Sequence, residues 1–448
     1  MSIKFRKPRI GFVNLLSPKS WNNPAQKDGL IQSDKAKEYL KDLNVQIFSN
    51  PSTVSDLVEA KQSWKYFKEN NVDAAVLFNG NFSLGNLTIE IVRNLNLPFL
   101  LWGIEETQIN KGILCGSMIG LMPASTTFRN LNRKFIFSYG TIEKEDARNR
   151  VKKFINAVRA MAYMNEAKIA LIGSRPDGFE ISGFDELAIK RVFGTTINKI
   201  SMDYLFEAID GVDKNAIDLD MKKQKKIFDI NNKDVKEAKE LSRIYIAIKK
   251  TVKKYNVQAI APQCWPELRM NRKTPMCTAN GRITAEGVMV SCEADMDSAL
   301  TMLLLYALNG GTPWTADFTN IIEEKDSLLF WHCGNASYNL SDQKPIIECV
   351  SEGLAQTASL KPGIATVCRI NHYKDDFEIF AGLGEVIKSG PIIKGSNMFI
   401  RMNRGNMNFV ESMLENGIPH HNVIVYGDVT EELKIFAKLK DLPAKIIK

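Results

Sequence analysis

A regular alternation of strand-like and helix-like segments is the feature of this sequence that most limits its possible folds. Short apolar runs such as Arg9 to Asn14 alternate with amphipathic stretches of helical period, and the pattern begins again at Lys168 to Ile172. Strands separated by helical segments of about 10–15 residues are typical of βαβ units, which form parallel sheets. The sequence therefore predicts two tandem Rossmann-like α/β domains, over residues 1–165 and 166–340.

The pattern changes after about residue 340, where short alternating pieces separated by Gly, Pro and Asn replace the helices. Alternation with a period of two is typical of antiparallel strands in a barrel or a sandwich. We predict an antiparallel β-barrel-like C-terminal domain over residues 341–448, with one late helix near Asn408 to Leu414. The Lys/Asp-rich stretch 211–231 is predicted to be a loop. The fold class is thus α/β with a β-rich C-terminal domain.

Composition excludes several classes of protein. Hydrophobic residues make up 44% and charged residues 25% of the 448 residues, which is ordinary for a globular protein. We find no apolar run of the roughly 18 residues that a transmembrane helix needs, and no signal peptide, so we expect a cytoplasmic protein without a membrane partner. Seven cysteines without CxxC pairs argue against a disulfide framework or a zinc ribbon. A net charge of +8 without a basic stripe argues against nucleic-acid binding.

Carboxylates cluster in the stretch that joins the predicted central and C-terminal regions. Glu293, Asp295 and Asp297 follow a strand-like run, Asp317 lies on a strand-like piece beyond the next helix, and a further apolar run ends at His332. Carboxylates at strand ends can converge on one edge of a parallel sheet, which suits a metal or proton-transfer site. Asp295 and Asp297 are more simply explained as helix caps. Glu293 and Asp317 are therefore the candidates for chemistry.

Three of the four histidines are candidates: His332 ends this stretch, and His420 and His421 lie just before a later predicted strand. Adjacent residues point their rings in different directions, so at most one of His420 and His421 is an easy metal ligand. A single histidine is equally often a buried, hydrogen-bonded residue. Cys292 and Cys333 could bind a soft metal ion, but free cysteines are usually small core residues, and we favour that interpretation.

Further polar and aromatic residues follow predicted strands, where ligands bind in open α/β sheets. Trp102 ends a strand of the first domain, and Gln263 and Trp265 follow a strand of the second. The turn from Gly173 to Phe179 also follows a strand. It matches neither GxGxxG nor a Walker motif, so a nucleotide site is only weakly supported.

The order of these motifs resembles the L-fucose and L-arabinose isomerases. The similar segments are CEAD, the helix SALTMLLLYAL, GGT, TPWTADF, the apolar strand ending in histidine, the earlier PQCWPE and the later HHNV. The resemblance implies two N-terminal α/β domains followed by a β-barrel. It also implies the interconversion of an aldose and a ketose through a cis-enediol, with a divalent metal that is usually Mn²⁺.

The resemblance assigns roles to residues of this chain. It implies that Glu293, Asp317 and His421 bind the metal and that the two carboxylates are catalytic. An Asp at position 317 fits the fucose isomerase branch. Oxygen-rich ligation with one imidazole also favours Mn²⁺ over structural zinc. Residues implied to contact the sugar are Trp102, Gln263, Trp265, His332 and His420.

The resemblance further implies a homo-oligomer, a trimer or hexamer, whose active sites are completed by a neighbouring subunit. Trp102 would then lie over the sugar of a partner, although packing inside its own domain explains it equally well. Two alternative functions stay open. One is an isomerase of an anionic hexose, such as the sulfonated sugar sulfoquinovose, suggested by Lys388, Lys394, Arg401 and Arg404 in the β-rich region. The other is a non-catalytic sugar-binding protein, since tandem α/β domains also form periplasmic binding proteins.

Overall fold

The structure is a computed structural model of the chain. It describes residues 5–106, 115–231, 234–350, 353–374, 376–388 and 393–448. No helix in these residues is both long enough and apolar enough to cross a membrane.

The chain divides into two compact units. The first unit comprises Phe5–Ala162 together with Ile435–Asp441, and the second comprises Tyr163–Lys434 together with Leu442–Lys448. Each unit has its own apolar core. The catalytic candidates all belong to the second unit.

The first unit is built on a parallel sheet with the order β2-β1-β4-β5-β6 and with β3 beside β1. Every residue of the central strand Ala74–Asn79 is buried, as expected for a parallel strand that is covered on both faces. The strands are β1 (Arg9–Leu15), β2 (Gln46–Phe48), β3 (Thr53–Val54), β4 (Ala74–Asn79), β5 (Phe99–Gly103) and β6 (Phe135–Tyr139). The helices along this part of the chain are α1 (Gln26–Asp42), α2 (Leu57–Glu69), α3 (Gly85–Asn94), α4 (Ser117–Asn130) and α5 (Glu145–Glu166).

The second unit contains a smaller parallel sheet with the order β11-β10-β7-β8. Its strands are β7 (Lys168–Ile172), β8 (Thr196–Ile200), β10 (Ala259–Pro262) and β11 (Met289–Val290). The helices are α6 (Glu186–Phe193), α7 (Met202–Asp210), α8 (Lys214–Ile227), α9 (Val235–Tyr255), α10 (Glu267–Arg272), α11 (Cys277–Ala285) and α12 (Met296–Asn309). Strand order reverses between β7 and β10, and ligands of open α/β sheets bind at such a switch point.

A large mixed sheet makes up the rest of the second unit, in the order β20-β17-β16-β19-β12-β13-β18-β15-β14-β9. Most neighbours are antiparallel, but β9 with β14, β15 with β18 and β17 with β20 are parallel. Strand β17 pairs with both β16 and β18. The strands are β9 (Asp229–Ile230), β12 (Trp314–Ile322), β13 (Ser327–His332), β14 (Ile346–Val350), β15 (Gly353–Ser359), β16 (Gly363–Tyr373), β17 (Asp376–Ile387), β18 (Ser396–Met402), β19 (His421–Tyr426) and β20 (Ala444–Ile447), with helices α13 (Asn406–Glu415) and α14 (Thr430–Lys440) between the last of them.

Helix α12 lies between the parallel sheet and the mixed sheet. It contacts β10 and β11 on one side and β12, β16 and β19 on the other. Such a helix must be apolar all around, which explains the continuous run SALTMLLLYAL. It begins after Asp295 and ends at Gly310, which has a φ of 72°. This left-handed conformation favours glycine, so the helix stops there.

Several sequence-based expectations need correction. Residues 211–231 are largely helical as α8, because Asp213 caps the helix and Ile217 and Met221 form a buried stripe beneath a solvated lysine face. Helix α14 is a second late helix that the alternating pattern did not predict. The C-terminal sheet is mixed rather than antiparallel. Asp317 and His332 lie on strands of this sheet, whereas the sequence analysis assigns them to the central domain.

Candidate active site

Glu293 lies at the carboxyl end of the parallel sheet, just beyond β11. The Ala294 N–H donates to the Pro262 carbonyl at 3.1 Å, which ties this turn to the end of β10. Glu293 and Ala294 both adopt left-handed backbone conformations, with φ of 55° and 57°. Such conformations are costly for residues other than glycine and are concentrated at functional sites. Burial raises the pKa of the Glu293 carboxyl above its usual value, against the opposing effect of two nearby histidines.

Asp317 and His421 meet because they are directly opposite residues on the antiparallel strands β12 and β19. Opposite side chains on one face of a sheet lie close together. The distance from Asp317 Oδ1 to His421 Nε2 is 3.3 Å, and that from Glu293 Oε2 to the same nitrogen is 3.6 Å. One carboxylate from the parallel sheet and one from the mixed sheet therefore face the same imidazole nitrogen.

The other two histidines border this cluster. The His332 ring is buried and stacks on His421 with a centroid distance of 6.0 Å and an interplanar angle of 21°. His420 is more exposed, and its Nε2 lies 3.9 Å from Asp317 Oδ1. His421 is buried and His420 is more exposed, yet their ring centroids are only 4.4 Å apart, at an interplanar angle of 50°. Contrary to the expectation from the sequence, the adjacent rings therefore do not diverge, and both histidines face the cluster.

The cluster has the composition and the unpaired atoms of a metal site. Glu293, His420 and His421 form one group of ligand atoms within 4.8 Å of one another, and Asp317, His332 and His421 form another. Asp317 Oδ1, His332 Nε2 and His421 Nε2 are buried and have no hydrogen-bond partner. An unpaired buried polar atom costs about 1–3 kcal/mol, so three of them around one point indicate a missing ligand. Carboxylate oxygens with imidazole nitrogen suit a divalent cation.

Behind His421 lies an ion pair that the sequence did not reveal. His421 Nδ1 is 2.9 Å from Asp295 Oδ2, and Arg369 of β16 forms two hydrogen bonds to the same carboxylate, at 2.7 and 3.1 Å. All three side chains are buried. Burial alone would raise the pKa of Asp295, but Arg369 and His421 outweigh it and hold the pKa far below its usual range. Asp295 also caps α12 by accepting the Ser298 N–H, as the sequence predicts.

Asp297 is not a cap but a buried acid with a raised pKa. Its Oδ2 accepts the His372 N–H at 3.0 Å, and burial raises its pKa to about 6. Between about pH 4 and pH 6 the folded protein holds a proton that the unfolded chain has released, so stability falls as pH rises through this window. Asp297→Asn keeps the backbone hydrogen bond and removes this loss, which is at most about 3 kcal/mol.

We therefore expect the thermal unfolding midpoint of Asp297→Asn to exceed that of the wild type at pH 7.5. The difference should shrink towards pH 4.5, where wild-type Asp297 is protonated as well. Asp203→Asn, at an exposed aspartate, is the control and should show no such trend. A variant that is destabilised equally at both pH values would contradict the assignment of the raised pKa to Asp297.

Gln263 and the Gly173–Phe179 turn meet at the switch point of the parallel sheet. Gln263 Oε1 accepts the Ser174 N–H at 2.8 Å, and its Nε2 donates to Glu267. Gly173 has a φ of 79°, and a Cβ there would collide with the Gln263 side chain, so only glycine fits. Both ends of the Gln263 amide are thus engaged within the protein. Gln263 therefore anchors this turn, and the sugar contact that the resemblance implies for it stays a prediction.

The anchored turn brings Phe179 towards the histidines. The Phe179 ring lies 6.2 Å from that of His420 and 5.9 Å from that of Trp265, measured between centroids. Trp265 is 42% exposed. Phe179, Trp265 and His420 therefore form an aromatic border next to the carboxylate cluster, where the two predicted sugar contacts Trp265 and His420 remain available.

Trp102 requires a correction. The indole is fully buried in the first unit, where its Nε1 donates to the Gly140 carbonyl at 2.9 Å and its ring packs edge-on against Phe78. A buried and hydrogen-bonded indole has no free face for a sugar. Packing inside its own domain, the alternative considered from the sequence, is what the structure shows.

Neither Cys292 nor Cys333 belongs to a group of possible metal ligands in the described residues. Cys292 is buried and Cys333 half-buried, and all seven cysteines carry free thiols. The favoured interpretation of the two as small packed residues is consistent with these positions.

Sequence reasoning missed Arg369 and Phe179 as parts of the site. Arg369 has a recognisable signal, because a lone arginine interrupts the apolar strand TVCRI and a buried arginine needs a carboxylate partner. Phe179 has no such signal, since its position depends on the fold of the turn that carries it.

Comparison with known proteins gives consistent matches. A family model described as "Fucose/sulfoquinovose isomerase, N-terminal domain" matches residues 30–165. A sulfoquinovose isomerase of Priestia aryabhattai is 26% identical over 384 residues, covering 84% of this chain and 86% of the relative. A sulfoquinovose isomerase of Alkalicoccus urumqiensis is 23% identical over 378 residues, covering 83% and 85%. An L-arabinose isomerase of Oceanobacillus iheyensis is 22% identical over 339 residues, covering 71% of each.

The fold, the carboxylate–imidazole cluster and these similarities define an enzyme of the aldose–ketose isomerase class, an intramolecular oxidoreductase. The chain is similar to the fucose isomerase-like sugar isomerases, in agreement with the resemblance of its sequence motifs.

Proposed function

We propose that this protein is a metal-dependent aldose–ketose isomerase in which Glu293, Asp317 and His421 hold a divalent cation, Mn²⁺ or a related ion. The observation that carries the proposal is the unpaired state of the buried Asp317 Oδ1 and His421 Nε2, with the Glu293 carboxylate 3.6 Å from that nitrogen. Two carboxylates and one imidazole match the preference of such a cation for oxygen ligands.

Hydrogen bonds distinguish His421 from His332. The Asp295 carboxylate can only accept, so His421 Nδ1 carries the proton and Nε2 presents a lone pair to a cation. At His332 the direction is reversed, because Nδ1 accepts the Cys333 N–H at 2.8 Å. A neutral His332 then carries its proton on Nε2 and donates rather than ligates. We therefore assign His421 to the metal and His332 to a substrate oxygen.

The two carboxylates provide the proton transfer. Isomerisation moves a proton between C1 and C2 of the sugar through a cis-enediol, which requires a base and an acid close to these carbons. Glu293 and Asp317 are the carboxylates that face the cluster, and the raised pKa of Glu293 brings it closer to the neutral pH at which proton exchange is efficient. A bound divalent cation polarises the carbonyl and stabilises negative charge on the sugar oxygens.

A sulfonated hexose is the substrate class that the comparisons favour. The relatives that align over more than four-fifths of this chain are named sulfoquinovose isomerases. A neutral aldose, as in the arabinose isomerase relative, is the other candidate. Incubation with sulfoquinovose, glucose, arabinose and fucose in the presence of Mn²⁺ tests both. We expect ketose formation, and binding of a sugar without conversion would instead indicate a non-catalytic sugar-binding protein.

Removal of divalent cations is expected to abolish turnover. Prolonged treatment with EDTA followed by desalting should inactivate the enzyme, and Mn²⁺ should restore activity better than Zn²⁺, because the ligand set is rich in oxygen. The same treatment should lower the thermal unfolding midpoint, since a cation that binds only the folded state stabilises it. Full activity in a sample with no metal by elemental analysis would contradict the proposal.

Three further expectations also remain as proposals: a barrel, a homo-oligomer and a cytoplasmic location. The pairings of β17 with β16, β16 with β19, β19 with β12, β12 with β13, β13 with β18 and β18 with β17 form a closed circuit, which supports a six-stranded barrel in the mixed sheet. Family resemblance supports a homo-oligomer, a trimer or hexamer with shared active sites. Trp102 is not available as the shared residue. Seven free thiols support a reducing, cytoplasmic location.

A further inference from the structure

A cavity of about 690 Å³ opens beside the end of β16, and its walls differ from those of the candidate active site. They come from the start of α12, the end of β16, the start of β17 and the segment between α13 and β19, all within the second unit. Neither Glu293, Asp317 nor His421 is among the described residues that line this space, which we call the β16 cavity. Its volume lies within the range of about 300–1,000 Å³ that is typical of small-molecule sites.

Two buried acceptor atoms at the β16 cavity have no hydrogen-bond partner. Asp297 is only 3% exposed, and its Oδ2 accepts the His372 N–H, whereas its Oδ1 is unpaired. Nδ1 of His372, the fourth histidine of the chain, is also buried and unpaired. Both residues line the cavity. Because an unpaired buried acceptor is unfavourable, these two atoms indicate a ligand that donates hydrogen bonds.

The polar side chains of the β16 cavity present mainly acceptors. His372 Nε2 lies 2.9 Å from the Lys374 carbonyl, which can only accept, so Nε2 carries the proton and Nδ1 of a neutral ring presents a lone pair. The Asn371 amide donates to Glu378 Oε1 at 3.0 Å, which leaves the Asn371 carbonyl and the Glu378 carboxylate as acceptors. An ammonium or a guanidinium only donates, whereas a hydroxyl group also needs donors. The carboxylates of Asp297 and Glu378 further favour a positive charge.

The protein's own cations do not reach the unpaired atoms. Arg369 Nη2 lies 3.8 Å from Asp297 Oδ2, on the side of the carboxylate that is already engaged. Lys374 Nζ lies over the Tyr373 ring, 5.0 Å from its centroid. Glu378 faces the neutral amide of Asn371. The negative charge at the cavity is therefore only partly compensated.

An extended organic cation fits the β16 cavity better than a metal ion. Among the described residues, Asp297, His372 and Glu378 belong to no group of three or more possible metal ligands within 4.8 Å of one another. Three of the side chains that line the cavity are apolar or aromatic and half or more exposed: Ile181, Tyr373 and Leu414. A ligand with a charged end among the acceptors and an apolar body against these three side chains matches both features.

We propose that the β16 cavity binds a small organic cation with a primary ammonium or guanidinium group, whose N–H donors engage Asp297 Oδ1 and His372 Nδ1. This binding site is separate from the proposed sugar site and does not depend on the isomerase function. It lies close behind the metal ligands, because Arg369 joins Asp297 to Asp295, the hydrogen-bond partner of His421.

The test is titration calorimetry on the full-length protein at pH 7.5, at which Asp297, with its pKa of about 6, is ionised. The protein is loaded with Mn²⁺, so that the acidic catalytic cluster does not attract the added cation. The probes are putrescine and agmatine, with two controls: butanediol, which has the length of putrescine but no charge, and tetramethylammonium, which has the charge but no N–H donor. We expect saturable binding of putrescine or agmatine and much weaker binding of both controls. The bound amine should also raise the thermal unfolding midpoint.

Three variants locate the bound cation. Asp297→Asn should weaken amine binding about 10- to 100-fold, as loss of a hydrogen bond to a buried charge predicts. Glu378→Gln, at a partly exposed carboxylate, should weaken it about 2- to 5-fold. Glu411→Gln, at an exposed carboxylate of α13 that does not line the cavity, is the control and should bind as the wild type does.

Each of three other results overturns the proposal. The first is a wild type that binds neither amine. The second is a wild type that binds butanediol or tetramethylammonium as tightly as the amines, because the ligand is then not recognised as an N–H cation. The third is amine binding that is unchanged in both Asp297→Asn and Glu378→Gln, which would place the cation elsewhere on the protein. Since every readout is binding or unfolding, none of these results bears on the isomerase proposal.

Discussion

The Glu293→Gln variant is expected to lose aldose–ketose isomerisation by at least about 10²–10⁴-fold, the range for loss of a general acid or base, and by more if the metal is lost too. Glutamine has the same shape but cannot accept a proton at neutral pH and is a poorer ligand. Asp317→Asn should have an effect of the same order. Initial rates of ketose formation at saturating Mn²⁺ and sugar measure both.

Measuring the unfolding midpoint of each variant separates a loss of catalysis from a loss of the fold. Burial raises the pKa of Glu293, so in the metal-free protein its neutral replacement should not lower the unfolding midpoint and is expected to raise it slightly at neutral pH. With Mn²⁺ present, the variant should gain less stability from the cation than the wild type does. Glu323→Gln, at an exposed carboxylate of the turn between β12 and β13, is the matched control and should keep full activity. Near-normal turnover in Glu293→Gln or Asp317→Asn would remove that residue from the catalytic pair.

Local sequence patterns were sufficient where a structure depends on nearby residues. The strand over Lys168–Ile172 has the predicted bounds, and the helix predicted over Ser298 to Leu308 is extended only by a few residues. The hydrophobic pattern did not reveal helix α8, because most of its residues are polar and face solvent and only a narrow apolar stripe is buried. It also could not show that Asp317 belongs to the mixed sheet, since strand pairing joins β12 to β19 across about a hundred residues.

The sequence was sufficient to predict which residues form the candidate site, but not how the fold brings them together. Glu293, Asp317 and His421 are recognisable because acids follow apolar runs and histidine is rare in this chain. Their convergence was expected at one edge of a parallel sheet, yet it arises between two sheets, with only Glu293 at the parallel edge. The tautomers of His421 and His332 depend on Asp295 and on a backbone N–H. Hydrogen bonds of that kind depend on the folded chain and have no signal in the sequence.

The Asp295–Arg369 pair is expected to have a large effect on stability and a separate effect on metal binding. Asp295→Asn leaves the buried Arg369 with only Asp297, whose Oδ2 lies 3.8 Å away, and Arg369→Met leaves the Asp295 carboxylate without its main partner. Breaking a buried ion pair in this way costs about 3–5 kcal/mol, so both single variants should unfold at clearly lower urea concentration. The double variant removes both charges of this pair, and its stability should recover towards that of the wild type. The recovery should be fullest below about pH 6, where Asp297, which also loses Arg369, is protonated.

The affinity of the double variant for Mn²⁺ should not recover together with its stability. The Asp295 carboxylate holds the Nδ1 proton of His421 and raises the basicity of Nε2, and loss of such a partner typically weakens metal binding about 10- to 100-fold. We therefore expect the double variant to be well folded but to bind Mn²⁺ weakly, as titration calorimetry or the electron paramagnetic resonance signal of free Mn²⁺ can measure. A double variant that regains both stability and wild-type Mn²⁺ affinity would show that the pair only supports the fold. Recovered stability with weakened Mn²⁺ binding would instead show that Asp295, held by Arg369, positions His421 for the metal.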